Sequence, residues 1–388
     1  MVLQAGRVHV SGPLSGVKIV ELAGIGPAPY GCMLMADAGA DILRLERAAA
    51  PSENGGPYWD ITARSRRSVA VDLKRPEGVE LVLDLVAGAD ALVEGFRPGV
   101  AERLGVGPDE CLGRNPRLVY ARMTGWGQDG PLADRAGHDI DYIAIAGALW
   151  PMGRAEDRPV PPLNLVGDFG GGGMLLAFGV TAALLEAARS GQGQVVDVAM
   201  VDGAASLLTH MFSFHRLGIW KEERGVNLLD TGAPFYEVYE TADGQYMAVG
   251  GLEAKFYAEL VEGLGLAPED LPPQNERAHW PETKQRFAAI FATKTRAEWE
   301  AVFEGTDACA APVLPPFEAH RHPHNQAHGT YVEVEGIVQP APVPRFGRTP
   351  ATVNRPPSPP GADTDEGLSA WGVDEARIKA LRQSGVVG

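Results

Sequence analysis

The chain has 388 residues, with 50 acidic against 34 basic side chains for a formal charge of −16, and is 45% hydrophobic and 22% charged. Such a length and apolar share predict two or three globular domains with buried cores, not a disordered chain. The acid excess argues against a nucleic-acid footprint and against charge-held attachment to anionic membranes, so an anionic ligand would have to meet cations gathered locally.

In chain order, Val17 to Leu22 is a short β-branched run ending at the Gly/Pro-rich turn Gly24 to Pro29. An apolar stretch from Tyr30 to Ala38 reads as a helix and Asp41 to Glu46 as a second strand, the βαβ arrangement of a parallel sheet. The pattern recurs with a helix over 77–87, strands over 91–94 and 118–123, a glycine-led helix over 170–190, a strand over 194–199 and one long helix over 203–218. Beyond residue 225 the texture changes. Tyr236 to Glu240 and Gln245 to Gly250 flank Asp243-Gly244, which predicts a hairpin, and helices follow over 255–263, 281–292 and 296–304. Eight prolines between Gln339 and Pro360 predict an extended arm, and a short helix is expected near 374–384. The expected division is therefore an α/β Rossmann-like large domain over 1–224, a smaller α+β domain over 225–318 and a C-terminal return over 319–388.

Cys32, Cys111 and Cys309 are scattered and odd in number, which makes neither a disulfide framework nor a zinc site. With no basic, apolar leader pattern at the N-terminus and no long apolar run, the expectation is a cytoplasmic protein without a membrane segment. His320, His322, His324 and His328 alternate around Pro323 without a standard ligand spacing, so no metal is expected there. Ser206 and Ser213 lack a Gly-x-Ser-x-Gly elbow. The first βα turn nearly spells a dinucleotide fingerprint, but Pro27 removes an N–H donor and Pro29 replaces the third glycine, so the turn is expected to hold no nicotinamide cofactor.

Chemistry concentrates in Ala121 to Pro131, in Ala136-Gly-His-Asp-Ile-Asp-Tyr142 and, thirty residues beyond His138, in Gly167-Asp168 followed by Gly170 to Gly173. Asp168 falls where a loop becomes a helix, and the glycine N–H groups there would suit a developing oxyanion. Trp126 and Trp150 could line an acyl pocket or serve packing.

Several separated blocks carry a resemblance: Gly12-Pro-Leu-Ser-Gly, Glu21-Leu-Ala, Arg67 to Lys74, Glu94-Gly-Phe-Arg-Pro-Gly99 and Gly167-Asp168. They resemble the family III CoA-transferases. Arg122 to Gln128, together with Gly137-His-Asp-Ile-Asp-Tyr142, is similar to the α-methylacyl-CoA racemase branch, and the likeness runs from about residue 11 through Phe346. The resemblance implies a racemase that moves an α-proton between two faces of a 2-methylacyl-CoA thioester through an enolate, with His138 and Asp168 as the acid–base pair and Glu253 supporting the imidazole. The alternative it leaves open is a CoA-transferase using Asp168 as a nucleophile, a branch that generally lacks the histidine.

It further implies that coenzyme A is the acyl carrier, with no cofactor required. Arg47, Lys74, Arg97 and Arg103 would gather around its phosphates, and Val71, Asp72, Leu73, Gly95 and Phe96 would meet its nucleotide end. Gly137, Asp139 and Tyr142 complete the expected contacts, and Asp139 could instead fix the imidazole or bond neighbouring backbone. Family members commonly carry an asparagine where this chain has Gly95. The implied assembly is an interlocked homodimer in which Glu253 of one chain meets His138 and Asp168 of the other.

Overall fold

The computed structural model describes residues 12–47 and 60–388; the chain's first eleven residues, on which the leader expectation rests, lie outside them. In chain order the first elements are β1 Lys18–Leu22, α1 Pro27–Asp37, β2 Asp41–Glu46, β3 Arg67–Ala70, α2 Pro76–Ala87, β4 Ala91–Glu94, α3 Val100–Arg103, α4 Pro108–Arg114, β5 Val119–Thr124 and α5 Asp139–Ile145. A π-helical segment Leu165–Met174 then runs into α6 Leu175–Ser190, followed by β6 Gln194–Ala199, α7 Met200–Leu207 and α8 Thr209–Arg216. The remainder holds β7 Tyr236–Glu240, β8 Tyr246–Gly250, α9 Ala254–Gly263, α10 Trp280–Phe291, α11 Arg296–Phe303, β9 Ala310–Pro312, α12 Pro323–His328, β10 Tyr331–Val334, β11 Ile337–Pro340, α13 Thr364–Ala370 and α14 Glu375–Gln383.

The chain divides into two compact units: the described residues up to Ala146 with Leu163–Leu207 and Gln326–Gly388, and Gly147–Pro162 with Leu208–Asn325. These bounds differ from the linear ones expected at 224 and 318. Chain that leaves and re-enters a unit changes composition at neither crossing, so the sequence carries no sign of where it crosses.

In the first unit six parallel strands stand in the order β3-β2-β1-β4-β5-β6. This is the doubly wound Rossmann order, with a topological switch between β1 and β4. Its central strands β1, β4 and β5 are short and buried on both faces, as a parallel sheet covered by helices requires, while the edge strand β6 is exposed over most of its length. One face packs α2 and the C-terminal helices around Leu81, Leu85, Leu368 and Leu381, and the other packs α1 and α6 around Cys32, Met35, Leu176 and Val180. The stretch Leu165–Ser190 is long and apolar enough to cross a bilayer by length and composition alone. In the fold its second half is the core helix α6, burying Leu176, Val180, Ala183 and Ala187.

Two expectations change. Arg67–Ala70, with only four residues, is a strand that the sequence reading left unassigned. The long helix expected over 203–218 is two helices, with Leu208 between them accepting a tight bond from the Met211 N–H. The proline-rich arm follows the β10–β11 hairpin and lies on the first unit, where the Thr352 N–H donates to the Asp37 carbonyl and the Ser65 N–H to that of Arg355.

The second unit carries the hairpin β7–β8, closed at Asp243-Gly244 as expected, with β9 added at its edge. Its core is aromatic: Phe235, Phe287, Phe291 and Trp299 are wholly buried, and Trp299 donates its indole N–H to the Phe291 carbonyl.

Candidate active site

In an open parallel sheet, strands that turn opposite ways at a switch point leave a crevice at their carboxyl ends. A cavity of about 320 Å³ opens there, lined by Ile25–Ala28 after β1, Gly95–Pro98 after β4, Met123–Trp126 at the end of β5 and just beyond it, and Arg135, Gly137, His138, Tyr142 and Asp168. The sequence-predicted pair His138 and Asp168 therefore borders one cavity.

His138 is exposed and caps α5. Its N–H donates to Asp141 Oδ2 at 3.0 Å, and its carbonyl accepts from the Asp141 and Tyr142 N–H groups, which fixes the backbone that carries the imidazole. Tyr142 packs edge-on against Trp126 and donates its hydroxyl to the Gly137 carbonyl, so the Gly137-His138 entry to α5 is pinned from both sides. Gly137 must be glycine, because a Cβ would stand 2.6 Å from the Tyr142 ring.

Asp168 lies in the first turn of the π-helical segment, a distortion common at functional sites. Asn164 Nδ2 donates to its Oδ2 at 3.0 Å. Burial pushes the Asp168 carboxyl above its ordinary range; the Asn164 bond opposes this, the Asp139 charge adds to it and His138 counters it. The result is a carboxylate held nearer to accepting a proton than one in water. Gly26, with a φ of 70°, lies so close that a Cβ there would stand 3.3 Å from Asp168 Oδ2.

The glycines after Asp168 do other work than expected. Gly170 to Gly173 lie inside the π-helical ladder, and they let it approach α1 and α7: a Cβ on Gly171 would stand 2.7 Å from the Ala204 nitrogen, and one on Gly173 2.7 Å from the Pro27 carbonyl oxygen. They are packing glycines. Asp139, expected to contact the ligand, is buried at 5% exposure and is not in the lining of this cavity; its Oδ2 accepts from the N–H groups of Gly167 at 2.6 Å and Asp168 at 2.7 Å.

The loop after β4 is held from beneath by charge. Glu94, wholly buried, accepts from the Phe96 N–H at 2.6 Å and from Arg122 Nε at 2.9 Å, while Arg122 reaches Glu102 at 2.8 Å. On the far side of this loop a second cavity, about 510 Å³, is lined by Arg44, Arg47, Val71, Asp72, Leu73, Lys74, Phe96, Val100 and Leu104. Phe96 borders both cavities. Five of the expected carrier contacts, Arg47, Val71, Asp72, Leu73 and Lys74, thus gather with Phe96 at the second cavity, and Gly95, Arg97, Gly137 and Tyr142 line the first. Arg103 borders neither; its guanidinium folds back beside Gly99. Glu253 is in the second unit, exposed, at the N-terminus of α9. Trp126 lines the His138 cavity, whereas Trp150 is in the second unit under the Arg224 guanidinium. Among the described residues no cluster suited to hold a metal is found, and the histidines of 320–328 form none.

The sequence reading missed Asn164, Arg135, Gly26 and the Glu94–Arg122–Glu102 set. Only Asn164 left a trace, one helical turn ahead of Asp168. The others meet through the sheet and are invisible to spacing.

A doubly wound sheet with a histidine and a carboxylate bordering a crevice at its switch point, and cations beside it, defines an α/β protein with a ligand site of the open-sheet kind, and sequence comparison makes the class specific. The chain belongs to CoA-transferase family III, whose family model matches residues 14–364. It is 46% identical over 377 residues to the α-methylacyl-CoA racemase of Mus musculus, covering 96% of this chain and 97% of that protein. To the α-methylacyl-CoA racemase of Homo sapiens it is 42% identical over 378 residues, covering 96% and 97%. The fold is shared with a CAIB/BAIF family protein from Brucella suis at a TM-score of 0.79 and 23% identity, covering 93% of this chain and all of that one.

Proposed function

We propose that the protein interconverts the R and S epimers of 2-methylacyl-CoA thioesters by exchange of the α-proton. The observation that carries this reading is that His138 and Asp168, from motifs thirty residues apart, border one cavity at the sheet's switch point. Similarity to the mouse and human racemases over almost the whole chain supports it.

A thioester acidifies its α-hydrogen, and loss of that proton leaves a planar enolate. Inversion needs one group to take the proton from one face and another to return a proton to the opposite face. His138 would act on the S epimer and Asp168 on the R epimer. A carboxyl raised by burial holds a proton more readily than one in water, and an imidazole can both take and give one, so the two suit the two halves of this exchange. Coenzyme A would lie along the second cavity, its phosphates met by Arg47 and Lys74 and its pantetheine arm passing Phe96 toward Asp168. Local cations make this workable in a chain of net charge −16.

The protein would act as an interlocked homodimer in the cytoplasm, with Glu253 of a second copy orienting the His138 imidazole. The first unit's exposed Met174, at the end of the π-helical segment, and Phe178 and Leu185 of α6 offer apolar surface suited to such a partner.

The test is incubation of a single-epimer 2-methylacyl-CoA in D₂O, read by mass spectrometry and chiral analysis. One deuterium at the α-carbon with movement toward both epimers is expected. No exchange, with hydroxylamine trapping an acyl group on Asp168, would reassign the chain to CoA transfer. Co-expression of His138→Ala with Glu253→Ala should recover part of the activity that each lacks alone, since one site of a mixed dimer would then be intact.

A further inference from the structure

We infer that Asp139 is a positioning residue that locks Asp168 opposite His138, joining the two motifs into one rigid piece; its catalytic consequence rests on the racemase reading. Asp139 follows His138 directly, yet its side chain turns inward and its Oδ2 takes both the Gly167 and Asp168 N–H groups, at 2.6 and 2.7 Å. Among the described residues none of its hydrogen bonds goes to the imidazole. The two reacting side chains are therefore connected by a single residue and two short charge-assisted bonds. First-turn N–H groups of a helix lack partners of their own, and here a buried carboxylate supplies one to two of them.

An independent feature agrees. A Cβ on Gly167 would stand 2.6 Å from Asp139 Oδ2, so the glycine before Asp168 is what lets the carboxylate reach the backbone. Asp139 Oδ1 is buried without a hydrogen-bond partner, a cost that a merely space-filling residue would not carry.

The clamp also places a negative charge beside Asp168, and that charge raises the Asp168 pKa. The other titratable and charged groups around Asp168 are His138 and Tyr142 at the start of α5, with Asp141 bearing on Tyr142, and Arg97 and Arg135 in the lining of the same cavity; α1 brings Tyr30, whose ring packs on Phe169, while Asp202 of α7 bears on Asp197.

Two variants of the full-length protein separate positioning from bulk structure. Asp139→Asn keeps an oxygen acceptor and removes the charge, whereas Asp139→Ala removes both. Amide hydrogen exchange over residues 163–170, CoA affinity by calorimetry, and the pH profile of α-proton exchange are read for each. With Asp139→Ala the amides should exchange at least about tenfold faster and kcat should fall about 100-fold, while CoA affinity stays within about twofold. Asp139→Asn should keep the amide protection and most of kcat, and the acidic limb belonging to Asp168 should move to lower pH, because a neighbouring negative charge has gone. Unchanged amide protection and kcat in Asp139→Ala would overturn the clamp. If Asp139→Ala does not fold, an Asp139→Asn profile coincident with wild type would overturn it. A wild-type protein that exchanges no α-proton would sink the racemase reading instead, and the amide measurement would still decide the clamp.

Discussion

The two cavities flanking the loop after β4 are built by opposite means. Around His138 and Asp168 each side chain or its backbone is fixed by hydrogen bonds from the protein itself: Asp141 on the His138 backbone, the buried Asp139 beneath Asp168, Asn164 on its carboxylate. Around the second cavity the cations Arg47 and Lys74 are exposed, and much of the rest is backbone and apolar surface at strand ends. Chemistry tolerates little misplacement, because effective molarity depends on sub-ångström geometry. Phosphate binding tolerates more, since several flexible cations share a diffuse charge. Substitutions should therefore divide into those that act on kcat and those that act on affinity.

The largest effects are expected at His138 and Asp168, the pair proposed to move the proton. His138→Ala or Asp168→Ala should slow α-proton exchange by about 10³-fold or more and leave CoA affinity unchanged, as deuterium uptake and calorimetry would check. Next comes Gly167→Ala, which drives a methyl group against Asp139 and should lower kcat about 100-fold at nearly constant KM. A rise in KM alone would break the contrast between the cavities.

The loop that separates them should behave as a hybrid. Arg122→Met leaves Glu94 buried and unpaired and should cost about 3 kcal/mol in denaturant unfolding, whereas Glu102→Gln, at the exposed end of the same set, should raise KM a few-fold and leave kcat and stability nearly alone. The smallest effects are expected for Arg47→Ala or Lys74→Ala, each weakening CoA about threefold to fivefold, by an amount that shrinks as salt is added.

The pH profile sharpens the same comparison. Asp168 must be ionised to take a proton, and burial raises its pKa. Exchange from the R epimer should fall as pH drops through a pKa above the ordinary carboxylate value, while CoA affinity stays flat over that interval. A limb at the value of a carboxylate in water would mean that the site is wetter than the fold implies.

The sheet was legible because each strand is a short β-branched run bounded by Gly/Pro turns, and β1, β2, β4, β5 and β6 fall within a residue or so of expectation. The exception, β3, has only four residues, one of them an arginine, so it shows little pattern of its own and is defined by pairing with β2. The small unit's hairpin and helices were equally plain, from an Asp-Gly turn and regular apolar spacing. Tyr142, expected to touch the ligand, lines the first cavity and also buttresses Gly137, a contact that follows from its own helix turn.

By itself the sequence determined the alternation of strands and helices, the excess of acid, and the identity of His138, Asp168 and the basic positions, because these are properties of residue type and local spacing. Only the tertiary structure decided that Asp139 faces backward onto Gly167 and Asp168, that the glycines after Asp168 serve close packing, that Arg122 ties Glu94 to Glu102, and that chain 147–162 joins the second unit. The physical reason is common to all four. Each depends on which groups are brought together when distant segments bury the same surface, and hydrogen-bond and packing partners chosen in that way leave no period in the sequence.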